Sequence, residues 1–418
     1  MYQSARGTAD ILPPEQPYWR YVEKAISEIT RLYGYQRIDT PVFEDTGLFR
    51  RSVGEYTDIV QKEMYTFQDR GGNSLTLRPE GTAPVCRAYL EHGMQNLPQP
   101  VKLFYLSSLY RYERPQAGRY RAFHQFGFEA IGEADPALDA EVIDMSWQFY
   151  RKLGIGALHL VLNSIGCKVC RPAYLAKLRD YFQNCQGGLC QDCKGRLERN
   201  PLRLLDCKNE ACQGLAAGAP RSVDHLCPEC SAHFEQLKRH LSSLELPFEI
   251  NNCLVRGLDY YTRTVFEVQP EIEGSQSTVG GGGRYDYLIE ELGGKPTPAL
   301  GFATGMERIV DNLKKQNVAV PPVPPARVYV AWLGEPAAES ALQLAARLRL
   351  EGIPALQGLG GKSLKAQLRQ ANSLGARYAV IIGEEELKTG LLPFRDMTNS
   401  EQHLVHLPEL LEAVRSGK

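Results

Sequence analysis

The residues best placed to do chemistry lie between Leu109 and Gly132, in LYRYERPQAGRYRAFHQFGFEAIG. Two runs of alternating aromatic and polar residues flank a middle that carries proline and glycine, the pattern of two antiparallel strands joined by a long turn. With a period of two, Arg111 and Glu113 share one face of the first strand. Phe123, Gln125, Gly127 and Glu129 share one face of the second. An arginine, two carboxylates and a glutamine are too costly to bury together without partners, so that face is expected to line a pocket. The opposite face, Phe126, Phe128 and, after a one-residue adjustment, Ile131, is apolar and expected to face the core. Between the strands Arg114, Arg119 and Arg121 make a cationic turn suited to phosphate.

A second constellation is made of sulfur. Eight of the eleven cysteines fall between Cys167 and Cys230, as the pairs Cys167 and Cys170, Cys190 and Cys193, Cys207 and Cys212, and Cys227 and Cys230. Three of these are Cys-x-x-Cys pairs, and two such pairs complete a tetrahedral zinc site of four thiolates; eight cysteines allow one site or two. The competing reading is eight reduced thiols packed as small hydrophobes. No secretory leader precedes them, so disulfides are not expected.

The elements that must position these residues follow from length and periodicity. A chain of 418 residues with 43% hydrophobic and 23% charged residues implies two or three domains with ample core. A net charge of -1 makes any nucleic-acid contact a matter of local basic patches. No apolar run reaches membrane-spanning length, and a cytoplasmic location with no membrane partner is expected. Trp19, Val22, Ile26, Ile29 and Tyr33 recur at helical spacing and Gly34 stops the helix. Tyr35–Phe43 is β-prone, with Pro41 fitting an edge or an interface. SLTLR, from Ser74, ends in a Pro-Glu-Gly-Thr turn. VGGGGRY, Val279–Tyr285, lacks the strand, helix and downstream acid of a dinucleotide loop, and its glycines are read as letting backbone approach a substrate. Pro321, Pro322, Pro324 and Pro325 form a stiff connector. Beyond it, alternating strands and helices imply a small α/β domain with a mixed, largely parallel sheet. The expected fold is therefore α/β, with a large domain at 1–320, a cysteine-rich insertion at about 167–246, a linker at 321–325 and an α/β domain at 326–418.

The hairpin resembles the second signature motif of class II aminoacyl-tRNA synthetases, and ERPQAGRYRAFHQFGFE is similar in wording to the histidyl-tRNA synthetases. Other segments match in family order. The first helix, strand and Pro41 resemble the first motif, which builds a dimer interface and so implies a homodimer. ALGFATGMERI, Ala299–Ile309, resembles the third motif, and VRGLDYYTRTVFE resembles a segment peculiar to the histidyl enzymes. The last domain resembles the anticodon-binding domain of this group. The cysteine-rich insertion is the main departure, because many relatives lack these cysteines.

What this likeness implies is specific. Residues 1–320 would form an α+β catalytic domain built on an antiparallel sheet flanked by helices. Histidine and ATP, the latter with Mg2+, would form histidyl-adenylate and pyrophosphate, and the histidyl group would pass to the 3′ end of tRNA(His). Arg256 matches the family's catalytic arginine; with Arg111 it would hold the α-phosphate, where a fixed guanidinium stabilises charge without changing protonation. Glu113 and Phe123 would lie on the adenine side, with Arg308 assisting ATP binding. Glu80, Thr82, Gln125, Glu129, Tyr260 and Tyr261 would bind histidine, and Arg114 and Gln116 would meet the tRNA acceptor end. Two rival functions are a non-catalytic synthetase-like regulatory subunit of ATP phosphoribosyltransferase in histidine biosynthesis, and a zinc-stapled RNA-binding protein. The first typically lacks the C-terminal domain and degrades the arginine motifs, and this chain keeps both.

Overall fold

The computed structural model describes residues 2–55, 57–114, 119–156, 158–270, 279–324 and 326–416. The chain divides into two compact units, Met1–Val320 and Pro321–Lys418.

The first unit is built on an eight-stranded sheet. Its strands are β1 (Gln36–Arg37), β5 (Val101–Tyr110), β6 (Ala122–Ile131), β7 (Leu158–Ser164), β8 (Glu249–Ile250), β9 (Thr262–Pro270), β10 (Gly280–Arg284) and β11 (Ala299–Gly305). Their order across the sheet is β1-β5-β6-β11-β10-β9-β7-β8. All neighbours are antiparallel except the outermost pairs, β1 with β5 and β7 with β8. A small second sheet runs β2 (Phe43–Asp45), β4 (Ser74–Leu77), β3 (Thr66–Gln68).

Amphipathic helices cover one face of the large sheet. The Gln16–Leu32 helix buries Trp19, Val22, Ile26 and Ile29. It ends where Gly34 takes a φ of +75°, a left-handed conformation that glycine adopts without strain. With the helices Pro136–Lys152, Pro228–Ser243 and Met306–Lys315 it packs over Phe126, Phe128, Ala130, Phe266 and Phe302. A buried ion pair ties β10 to this layer: Arg284 is fully buried, and its Nε donates to Asp139 at 2.7 Å. Asp139 also accepts from the Thr264 hydroxyl at 2.6 Å, so the pair's remaining lone pairs are used.

The opposite face carries the polar residues, and alternation runs through β6 unbroken. Ala130 therefore faces the helices, while Ile131 packs with Val101, Leu103 and Tyr105 on the face of Glu129. The expected one-residue adjustment that would put Ile131 with Phe126 and Phe128 does not occur. Arg111 and Glu113 also differ from expectation: β5 ends at Tyr110. The Glu113 N–H turns back onto the Arg111 carbonyl at 2.8 Å and the Tyr112 N–H goes to Glu63 at 2.7 Å, which breaks the alternation.

The insertion is helical, with helices at Arg171–Asn184, Gln191–Arg199, Glu210–Ala217 and Pro228–Ser243. The second unit has strands β12 (Val328–Trp332), β13 (Ala355–Gln357), β14 (Tyr378–Ile382), β15 (Leu391–Asp396) and β16 (Gln402–His406), ordered β13-β12-β14-β15-β16. Pairings of β12 are parallel and those of β15 antiparallel. This sheet is half parallel, not largely so, because the last two strands form a hairpin and need no crossover helix. Among the described residues no helix is long and apolar enough to cross a membrane.

Candidate active site

The site is founded on strands that lack side chains. Across β6, β11, β10 and β9 the register aligns Gly127, Ala303, Gly281 and Glu267 in one row, and Glu129, Gly301, Gly283 and Val265 in the next. A Cβ at Gly281 would come 2.8 Å from Arg256 Nη1, and one at Gly301 would come 1.8 Å from Glu129 Oε2. These glycines are needed for space: the strand backbone is the floor against which charged side chains lie.

Above the floor opens a cleft of about 1030 Å3. Arg111, Glu113, Phe123, Gln125, Arg256 and Arg308 all line it, together with Arg119. Two guanidiniums from segments far apart in the chain, Arg111 and Arg256, thus reach one space. Each is held. Arg111 Nε donates to the Pro79 carbonyl at 2.8 Å, and its guanidinium lies 5.6 Å from the Phe123 ring centroid. Glu113 stands between Arg119 at 3.4 Å and Arg111 at 3.8 Å. Arg256 Nη1 is paired with Glu267, while its buried Nε has no hydrogen-bond partner among the described residues. Burial opposes the Arg256 charge, but the Glu267 carboxylate more than restores it, so its pKa is raised. Burial lowers the Arg308 pKa, and the neighbouring charges of Arg119, Arg111 and Arg256 lower it further, against Glu113. Four guanidiniums therefore crowd one volume, an arrangement that a polyanion relieves.

Next to the cleft lies a buried polar pocket. Glu129 is 1% exposed and accepts from the Tyr285 hydroxyl at 2.6 Å and the Thr82 hydroxyl at 2.8 Å. Burial pushes its pKa up to about 8, against the pull of those two donors. Glu80 is buried too, and its oxygens accept the N–H groups of Thr82 and Ala83, both at 2.8 Å, at the start of the Thr82–Glu91 helix. Its carboxylate therefore fixes the Pro-Glu-Gly-Thr turn whatever else it contacts, and burial raises its pKa. Tyr260 and Tyr261 stack obliquely with centroids 4.8 Å apart, and Tyr260 meets Tyr285 edge-on at 5.6 Å. The result is an aromatic cluster beside two buried acids, Glu129 and Glu80, suited to a small cation.

Of the sequence-predicted residues, Arg114 is exposed on the turn. Gln116 lies outside the described residues. The eight cysteines separate into two tetrads, Cys167, Cys170, Cys227 and Cys230, and Cys190, Cys193, Cys207 and Cys212. Glu267, Tyr285 and Tyr105 complete the site without having been singled out. Glu267 ends VRGLDYYTRTVFE and Tyr285 ends VGGGGRY, so the signals were present. What was missing was the register that sets one beside Arg256 and the other against Glu129.

This arrangement has counterparts. The profile of the histidyl-tRNA synthetase family matches residues 7–176 and 202–309, and that of an anticodon binding domain matches residues 327–417. The chain is 64% identical over 411 residues to a histidine–tRNA ligase of Dehalococcoides mccartyi, covering 98% of each. It is 51% identical over 411 residues to that of Desulforamulus reducens, covering 98% of each. The crystal structure of apo histidyl-tRNA synthetase from S. aureus superposes with a TM-score of 0.84 at 38% identity, over 99% of this chain and 100% of that one. A likeness of this extent, joined to an arginine-lined cleft beside a buried aromatic and acidic box, makes the chain a member of the histidyl-tRNA synthetase family.

Proposed function

We propose that the chain is a histidine–tRNA ligase in which the arginine-lined cleft takes ATP and the Glu129 box takes histidine. The observation that carries this reading is the convergence of Arg111, Arg119, Arg256 and Arg308 on one cleft, next to the buried carboxyl of Glu129 and its hydroxyl donors Thr82 and Tyr285. In the first step a histidine carboxylate oxygen attacks the α-phosphorus of ATP, a phosphorus–oxygen bond to pyrophosphate breaks, and histidyl-adenylate forms. The attacking carboxylate is already ionised, so no general base is needed. Arg256 and Arg111 hold the α-phosphate oxygens, the unpartnered Arg256 Nε supplying a donor that needs an acceptor. Arg308 and Arg119 take the outer phosphates, and Phe123 with Glu113 lies along the adenine. ATP enters as its Mg2+ complex, and Glu113 and Glu307 offer hard oxygen ligands on the cleft wall. Held by those carboxylates, the ion would supply charge neutralisation for the triphosphate.

The histidine ammonium and imidazole replace the proton on Glu129. Thr82, Gln125, Tyr260 and Tyr261 complete the pocket, with Glu80 fixing Thr82 from behind. In the second step a ribose hydroxyl of the terminal adenosine of tRNA(His) attacks the acyl carbon and AMP leaves, with Arg114 and Gln116 at the acceptor end. The second unit reads the anticodon. It also speaks against a regulatory subunit of ATP phosphoribosyltransferase, as does the intact arginine set. A homodimer is supported by an exposed apolar patch that joins the end of the first motif to the small sheet: Val42, Phe43 and Phe67 are 43%, 49% and 43% exposed.

Histidine-dependent exchange of pyrophosphate into ATP tests the reading. Exchange that requires histidine, and no other amino acid, is expected. Absence of exchange in well-folded protein would overturn it.

A further inference from the structure

The ligase chemistry leaves eight cysteines without a task. In each tetrad all four Sγ atoms lie within 4.8 Å of one another. The separations Cys167–Cys170, Cys167–Cys227 and Cys190–Cys207 are each 3.8 Å. Zinc–sulfur bonds of about 2.3 Å in a tetrahedron set sulfurs about 3.8 Å apart. Thiols packed only as hydrophobes have no reason to meet four at a time from both ends of a long insertion. Backbone N–H groups also aim at the sulfurs: Cys167 at Cys170 and Cys190 at Cys212, both at 3.2 Å, as donors to thiolate ligands do.

The tetrads hold different things. The first closes the root of the insertion, and its ledge carries Arg171. The Arg171 N–H donates to the Cys167 carbonyl at 2.9 Å, and its guanidinium donates to the Tyr261 carbonyl at 2.6 Å. The second reaches the cleft itself, because Cys207 is one of the lining residues, between Asp206 and Lys208. The segment it folds also holds the loop that bears Arg256. Asn200 Nδ2 donates to Asp259 at 2.6 Å, the Cys253 thiol approaches the Ala216 carbonyl at 3.6 Å, and Arg203 lies 3.2 Å from where a Cβ on Gly257 would sit. Cys190 and Cys193 fall in residues 177–201, between the two stretches that the family profile matches, whereas Cys207 and Cys212 lie within the second.

We propose that each tetrad binds one Zn2+, and that the ion at Cys190, Cys193, Cys207 and Cys212 is a positioning site for catalysis that holds the cleft wall against the Arg256 loop. At each site four thiols release their protons to solvent and bind the ion as thiolates, leaving a compact dianionic centre. The first ion staples the ends of the insertion and steadies the backbone of Tyr261. The catalytic half of this inference rests on the ligase reading and the metal half does not.

Elemental analysis of the full chain, purified without chelator or metal resin, is expected to find two zinc ions per chain. Cys190→Ser with Cys193→Ser should keep one zinc and lose roughly 10-fold or more in kcat for pyrophosphate exchange, the range expected for losing groups that orient a site, with KM for histidine little changed. Cys167→Ser with Cys170→Ser should also keep one zinc but act on KM for histidine. Should either variant fail to fold, release by an organomercurial into a zinc-sensitive dye is followed on the native chain, where two kinetic phases are expected. Cobalt-substituted protein should display the bands of tetrahedral thiolate ligation. A native chain with no zinc and no such bands overturns both sites. Unchanged exchange in the Cys190→Ser, Cys193→Ser protein, or in native protein stripped of both ions, overturns the positioning role. Two bound zinc ions in a native chain without exchange would instead remove the ligase reading and leave the metal sites standing.

Discussion

At the Arg256 guanidinium, Glu267 pairs with Nη1, and the buried Nε has no hydrogen-bond partner among the described residues. Replacing Arg256 with His removes a permanent charge, so kcat for exchange should fall by about 10^2–10^3-fold, the cost of losing a preorganised donor, while histidine still binds. Calorimetric titration with histidine checks the second half, and turnover near the native level would remove Arg256 from the mechanism. Glu129 makes a prediction about pH. Its folded pKa, about 8, lies above the ordinary 4.5, so the folded chain binds the extra proton between those values, and this group's contribution to stability falls as pH rises through that window. Glu129→Gln cannot ionise. Thermal unfolding of the variant should lose less between pH 5 and pH 8 than the parent does, while KM for histidine rises by roughly 10-fold or more, the scale of one charged hydrogen bond. An unchanged pH slope would show that the carboxyl is already ionised in the empty pocket.

At the scale of elements, the floor strands are the most demanding part. An added Cβ at Gly282 would sit 2.0 Å from the Gly301 carbonyl oxygen, a backbone atom that cannot rotate away. Gly282→Ala should therefore destabilise the chain by about 3 kcal/mol, the upper end for overpacking, which a denaturant titration would register as a lower midpoint. Much of this layer was legible in the sequence. Alternation along β6 assigned Gln125 and Glu129 to one face and Phe126 and Phe128 to the other, because a period of two is a local property. Ile131 followed the same rule, and only an assumed irregularity moved it to the wrong side. What alternation could not supply was the pairing between strands far apart in sequence, so Glu267 beside Arg256 and Tyr285 against Glu129 emerged only from the register. Arg111 and Glu113 reach the cleft although the strand ends before them, since their geometry is set by a turn. The sulfur spacing predicted metal ligation but not partners. Which pairs combine depends on how the insertion's helices fold back, and the first pair joins the last while the middle two pairs join each other.

For the whole molecule, 48 basic residues are offset by 49 acidic ones, so affinity for an acceptor end should come from local contacts such as those of the cleft arginines and weaken with salt. The proposed dimer would associate through the small sheet, where the Phe43 and Phe67 rings meet edge-on at 6.2 Å and are exposed. Phe43→Ser with Phe67→Ser should shift the chain toward monomer in sedimentation equilibrium without loss of folding, and an unmoved dimer would assign the interface elsewhere. The insertion has a topological property of its own. It departs from β7 and returns in β8, two neighbours paired side by side with Val161 opposite Glu249. Because the pair is parallel, the excursion is a crossover that leaves past Ser164 and comes back beside Val161, and a crossover can grow, shrink or acquire metals without shifting a single rung of the ladder it connects. Lineages could thus remodel one bank of the substrate channel freely while the reacting groups stayed anchored, so novelty in this family is to be sought in that excursion and constancy in the strands that frame it.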